Sequence, residues 1–134
     1  MTTTSTLVNN IYKSRKNVLD ILENQGFLVD DYKNFSINEI NSMTITNQLD
    51  MLIETNEETN KKCYIKYFLE KSLRPNNIHE FIEDLFTLEK VLEQKDDLII
   101  IVKDKPNDSL INTVRDIWEQ ENINIIIFGI QNLL

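Results

Sequence analysis

Apolar residues recur at helical spacing from the start of the chain. Val8, Ile11, Tyr12, Val18, Leu19 and Leu22 fall near a 3.6-residue period, with Ser5 or Thr6 placed to cap the helix and Gly26 placed to stop it. Phe27, Leu28 and Val29 follow as an apolar triplet expected to be buried, and Ser36 with Glu39 has capping-box spacing for a short helix carrying Ile37, Ile40 and Met43. The period then changes. Residues 48–54 read as a strand, 55–60 as a polar turn and 62–68, rich in Tyr, Ile and Phe, as a second strand, which together predict an antiparallel hairpin. Pro75 excludes helix before it, Asn77 is a candidate cap, and Ile78, Phe81, Ile82, Leu85, Leu88, Val91 and Leu92 form a helical stripe through to Gln94 that must lie on the sheet. Residues 98–102 are a continuous apolar strand. Asp108 or Ser109 can cap a helix bearing Leu110, Val114, Ile117 and Trp118, and 123–128 is another apolar strand, so this part reads as a βαβ unit. Strands this apolar are buried on both faces, which predicts an α/β fold: a mixed β-sheet flanked by helices with one right-handed crossover.

A chain of 134 residues, with 41% hydrophobic and 27% charged residues, fits a single domain spanning 1–134 with one core. Two glycines and two prolines leave little room for linkers or disordered stretches. The lone Cys63 excludes an intramolecular disulfide, and the opening Met-Thr-Thr-Thr-Ser lacks the basic and apolar regions of a signal peptide, so an intracellular protein is expected. The longest apolar runs fall far below the roughly 20 residues that cross a bilayer, so no membrane association is expected. The net charge of −8 argues against a surface that coats nucleic acid, because such binding is driven by clustered Lys and Arg; any contact with DNA must be local. One cluster qualifies. Lys13 and Lys16 are three apart on the first helix with Arg15 beside them, a candidate basic contact face whose plain alternative is a solvated helix side.

Most catalytic chemistries lack their residues in this sequence. His79 is the single histidine and lies on a different element from Cys63, so no imidazole or thiolate metal set is expected. Gly26 and Gly129 form no phosphate-binding loop, no nucleophile-elbow sequence surrounds a serine, and no cofactor is implied. One constellation has nuclease character: Asp50 on the first strand and Lys66 on the second. Metal-dependent nucleases of that type place a second acid two residues before the lysine, so that paired carboxylates hold a divalent cation that activates water. Here that position is Tyr64, and the remaining reading is a surface Asp beside a sheet-edge Lys.

Taken in order, residues 11–19 (Ile-Tyr-Lys-Ser-Arg-Lys-Asn-Val-Leu), the Asn24-Gln25-Gly26-Phe27-Leu28-Val29 turn, Leu49-Asp50-Met51-Leu52-Ile53, the 62–68 strand, the helix from Ile78, the 98–102 strand and the final apolar segment resemble the N-terminal jaw domain of the small jaw subunit, the fifth subunit, of eukaryotic-type DNA-directed RNA polymerases. The resemblance covers nearly the whole chain. It implies a restriction-endonuclease-like fold that has lost its catalytic acids, in keeping with Tyr64, and a non-enzymatic role beside the entering downstream duplex. Its expected partners are the largest polymerase subunit, other polymerase subunits and double-stranded DNA, bound weakly and without sequence preference. The family's DNA-proximal loop corresponds to residues 103–109, of which the proline is retained, so Lys103, Lys105, Pro106 and Asn107 are the implied DNA-contact residues; a proline-rigidified loop capped by Asp108 is the plain alternative. The chain ends close to where the family continues into its C-terminal assembly domain, so that domain is expected to be absent from this sequence. Nuclear residence is implied for a cellular protein, and a virion or viral factory for a viral one; the abundance of Asn, Ile and Lys resembles the bias of an AT-rich genome, such as that of a protist or a large DNA virus, and names no organism. A free-standing interaction module of the same fold is the second expectation and a divergent metal-dependent nuclease the third.

Overall fold

The most apolar stretch of the sequence lies at the centre of the molecule. In the computed structural model, which describes residues 2–56, 58 and 60–134, Asp97–Val102 forms β3, and its five apolar residues are all buried. It lies between β2 (Lys62–Phe68) and β4 (Asn124–Gly129), parallel to both, while β1 (Met51–Glu54) pairs antiparallel with β2. The sheet is therefore mixed, four-stranded and open, and its strands follow one another in chain order. The α/β class and the hairpin agree with the sequence reading. The topology goes further, because β2 and β3 are parallel and the helix between them is a second crossover, where the sequence pattern predicts only one.

Alternation along the strands divides the interior into two layers. Cys63, Ile65, Tyr67, Ile99 and Ile101 face α1 (Thr2–Asn24), α2 (Ile37–Ile45) and the closing 3₁₀ turn Ile130–Leu133. Leu98, Ile100, Val102 and Ile125 face α3 (Pro75–Ile82), its π-helical continuation Glu83–Leu88, and α4 (Asp108–Glu121). Both crossover helices thus cover one face, and the helical N-terminal unit covers the other.

Local signals explain the ends of α1 and α2. Gly26 takes φ +95°, Phe27 N–H donates to Leu22 O at 3.0 Å and Gly26 N–H to Glu23 O at 3.0 Å, the paired bonds of a Schellman stop. Helix α1 begins at Thr2, ahead of the expected Ser5 or Thr6 cap. The Ser36–Glu39 capping box forms in both directions, at 2.9 and 3.2 Å. Leu28 departs from the expected buried triplet and is 62% exposed. Its N–H joins Glu54 O, so the segment is extended and alternation turns Phe27 and Val29 inward and Leu28 outward.

Other boundaries move for identifiable reasons. β1 starts at Met51 rather than at residue 48, because Gln48 N–H still closes the end of α2 on Met43 O and the Asp50 side chain occupies the next ladder position. Residues 57 and 59 of the expected polar turn lie outside the described residues. Arg74 caps α3, with its own N–H held by Asn77 Oδ1 at 2.9 Å, so Asn77 acts from the third helical position rather than as the cap. The stripe expected through to Gln94 is broken by the π-helical segment; Glu89 N–H reaches back five residues to Asp84 O, Lys90 turns left-handed, and Leu88 ends 67% exposed. Asn107, not Asp108 or Ser109, caps α4. Among the described residues no helix is long and apolar enough to cross a membrane.

Candidate functional site

Asp50 is the centre of the first constellation. It sits one residue before β1, where Oδ1 accepts the Tyr67 backbone N–H at 3.0 Å and Oδ2 accepts the Tyr64 hydroxyl at 2.9 Å. Lys66 Nζ lies 3.1 Å from Oδ2 and 5.3 Å from the centre of the Phe81 ring. Asp50 and Lys66 are therefore brought together as the sequence suggested, and Tyr64 shares the same Asp50 oxygen. Burial, and then the Asp50 charge, push the Tyr64 phenol well above its ordinary value, so it remains a proton donor to the carboxylate. Glu54 and Glu70 are exposed, and no group of three or more His, Cys, Asp or Glu side chains able to hold a metal ion occurs among the described residues. Chemically this is a carboxylate whose oxygens are occupied by a backbone amide, a phenol and an ammonium.

The second constellation lies at the carboxyl end of the parallel strands, the end at which open α/β sheets gather ligands. Lys103, Asp104 and Lys105 are exposed on the loop leaving β3, and Pro106 is half-buried. The side-chain oxygen of Asn107 accepts the Leu110 N–H at 2.9 Å, so that oxygen is committed to capping α4. Gly129 lets this loop lie against the end of β4: a Cβ there would meet Lys105 Cα at 3.3 Å and the Asp104 carbonyl oxygen at 3.4 Å. The loop after β2 comes alongside, with Ser72 and Leu73 sharing a shallow depression of about 100 Å³ with Lys103, Asp104 and Lys105. Lys71 and Arg74, both exposed, flank those two residues in the chain. Sequence reading missed this pair. The available signal was topological, since two loops that each follow a parallel strand of one sheet must emerge at the same end. Glu70 and Asp104 are also exposed in these loops and Asp108 on the first residue of α4, so the region is mixed in charge, with four cations against three carboxylates.

The third constellation is split between the surface and the interior. Lys13 and Lys16 are exposed on one side of α1, as expected of a basic face. Arg15 is not part of that face; it is 3% exposed and points into the layer beneath α1, where Nη1 donates to Leu49 O and the Phe35 ring centre lies 5.7 Å from the guanidinium carbon. Its position explains the correction, because Arg15 is four residues after Ile11 and four before Leu19, within the apolar stripe. Burial lowers the pKa of its guanidinium, partly offset by Tyr67, Tyr32 and Asp50 nearby. Cys63 is buried, and burial, followed by the Asp97 charge, pushes its thiol up to about 12, so it is no nucleophile near neutral pH. His79 is exposed on α3.

No protein-family model and no curated protein matches the sequence.

Proposed function

We propose that the chain is a non-catalytic jaw domain of a eukaryotic-type DNA-directed RNA polymerase, a restriction-endonuclease-like sheet that has kept the architecture of a nuclease and lost the chemistry. The observation that carries the DNA-holding part of this reading is the pairing of the 69–74 and 103–107 loops at one end of the sheet. In a chain of net charge −8, that pairing puts Lys103 and Lys105 on one depression with Ser72 and Leu73, whose chain neighbours Lys71 and Arg74 are exposed. Exposed lysines on loops, interspersed with carboxylates, suit weak contact with a phosphate backbone and give no base readout. Loss of chemistry is supported at Asp50: a metal would have to displace Lys66 and Tyr64 from Oδ2, and the second carboxylate of a two-acid site is replaced by the Tyr64 phenol. Under this reading the partners are the largest polymerase subunit, other polymerase subunits and the downstream duplex.

A free-standing interaction module is the second reading, favoured by the outer edge of β4, which pairs with β3 on one side only and leaves Ile126 exposed. The two are separated by purification from the native source followed by salt-dependent duplex retention. Recovery with the two largest polymerase subunits, and a log–log salt slope that falls by about 2 in the Lys103→Ala/Lys105→Ala double variant, is the expected result. Duplex retention at low salt that is unchanged in the double variant sinks the DNA-contact assignment. Divalent-dependent cleavage abolished by Asp50→Ala would return the protein to the nucleases.

A further inference from the structure

Arg15 is a buried cation with most of its hydrogen-bonding capacity unused. Nη1 has its acceptor in Leu49 O, but Nε and Nη2, both buried, meet no acceptor among the described residues. These two nitrogens form one edge of the planar guanidinium and project two parallel N–H bonds, the fork that matches two oxygens of a carboxylate or phosphate. Leaving a charged donor pair buried and unmatched is costly, and native proteins rarely do so without a functional reason. None of the neighbouring side-chain oxygens reaches them: both Asp50 oxygens are held as described, the Tyr67 hydroxyl donates to Ser14 Oγ at 3.0 Å because the Ser14 proton goes to Ile11 O at 2.8 Å, and Tyr32 Oη accepts the Leu52 N–H at 3.3 Å.

Arg15 also lines a cleft of about 410 Å³ between α1 and the segment that leads into α2. That volume lies within the range of small-molecule sites. Its walls carry the aromatic rings of Tyr12, Tyr32 and Phe35, and its charged lining is Arg15, Lys16 and Lys33 against the single carboxylate of Asp20. Lys33 is partly neutralised from outside by Glu23 at 3.2 Å. Ser36, the cap of the nine-residue helix α2, lines the same cleft, so the positive end of that helix lies at the wall. Three lining cations, an unmatched guanidinium edge and aromatic walls coincide in one place.

We infer that this cleft binds a small aromatic molecule bearing a carboxylate or phosphate, with the Nε–Nη2 edge of Arg15 as its anchor. The aromatic part packs between the tyrosines, Lys16 adds charge at the mouth, and the half-buried Phe35 ring shifts to let the anion reach the fork. This site is independent of the polymerase reading and lies on α1 and the 29–36 segment rather than at the 103–107 loop.

The test is a nuclear magnetic resonance titration of the full chain with phenyl phosphate, benzoate, inorganic phosphate and the neutral benzyl alcohol, up to about 10 mM so that millimolar binding registers. Saturable shifts of the Arg15 Nε–H and the Phe35 ring are expected with phenyl phosphate and benzoate, weaker ones with inorganic phosphate and none with benzyl alcohol. Arg15→Met should weaken phenyl phosphate binding by about tenfold or more, the loss expected for a charge-assisted pair of bonds. Lys16→Gln, at an exposed position, should weaken it a few-fold with the fold unchanged, and it carries the test if Arg15→Met does not fold. Absence of saturable shifts with both aromatic anions overturns the proposal, as does binding unchanged in Lys16→Gln and Arg15→Met. Shifts of the Arg15 Nε–H with a duplex oligonucleotide but not with phenyl phosphate would also overturn it and assign the fork to a nucleic-acid backbone.

Discussion

Three weak acids on β2 sit where ionisation is unfavourable. Burial raises the Cys63 thiol from its ordinary 9.0 to about 12 and the Tyr67 phenol from 10.0 to about 12, and the Tyr64 phenol is raised further still. Each binds its proton more tightly in the folded protein than in the unfolded chain. Their contribution to stability is therefore complete below pH 9.0, the unfolded value of Cys63, and is lost as pH rises through the folded values near 12. Chemical denaturation followed by circular dichroism should show constant stability from these groups up to about pH 9 and a progressive fall above it, and Cys63 should react with a thiol reagent only on unfolding. A native-state reaction at pH 8 would contradict the burial. At the same scale, Arg15 shows what a charge run conceals. Lys13, Arg15 and Lys16 read as one basic surface because charge dominates the eye, yet the spacing of Arg15 from Ile11 and Leu19 already put it on the buried side, and only its identity argued otherwise.

Capping decides how the elements behave. Asn107 is implied as a DNA contact by the family resemblance and is also the cap of α4, so its replacement mixes two effects. Asn107→Ala should cost about 1 kcal/mol in urea denaturation through loss of the Leu110 bond, while Lys103→Ala/Lys105→Ala should leave stability within about 0.5 kcal/mol of the parent. Only the lysine pair then gives a clean measure of duplex contact. Elements with strong local chemistry were legible in the sequence: the Gly26 stop, the Ser36–Glu39 box and the 62–68 strand, whose alternation and turn-forming flanks leave one solution. The π-helical segment was not. Its one-residue shift carries no compositional mark, and it moves Leu88 from the expected stripe into solvent while Leu85 stays buried and receives the N–H groups of both Val91 and Leu92. The Arg15 cleft was equally silent, because it is made by three segments that meet only when α2 folds back on α1.

At the scale of the molecule, β3 is shared property: Ile99 and Ile101 belong to the layer under α1, and Leu98, Ile100 and Val102 to the layer under α3 and α4. Ile101→Ala should destabilise the whole protein by about 2–5 kcal/mol in a single cooperative transition, since a cavity on one side of β3 loosens the strand that both layers need. Loss of structure in one layer while the other persists, seen by hydrogen exchange, would show the layers to be separable. The strand order β1-β2-β3-β4 has one more consequence. A chain emerging from the ribosome meets its pairing partners in the sequence in which it is made, so each new strand adds to an edge that already exists. Helix α1, which precedes all four strands, is the exception: Asn17 on it donates to Leu133 O, so part of its packing waits for the Ile130–Leu133 turn that follows β4, and until then that part of its apolar side is open to a nascent-chain chaperone.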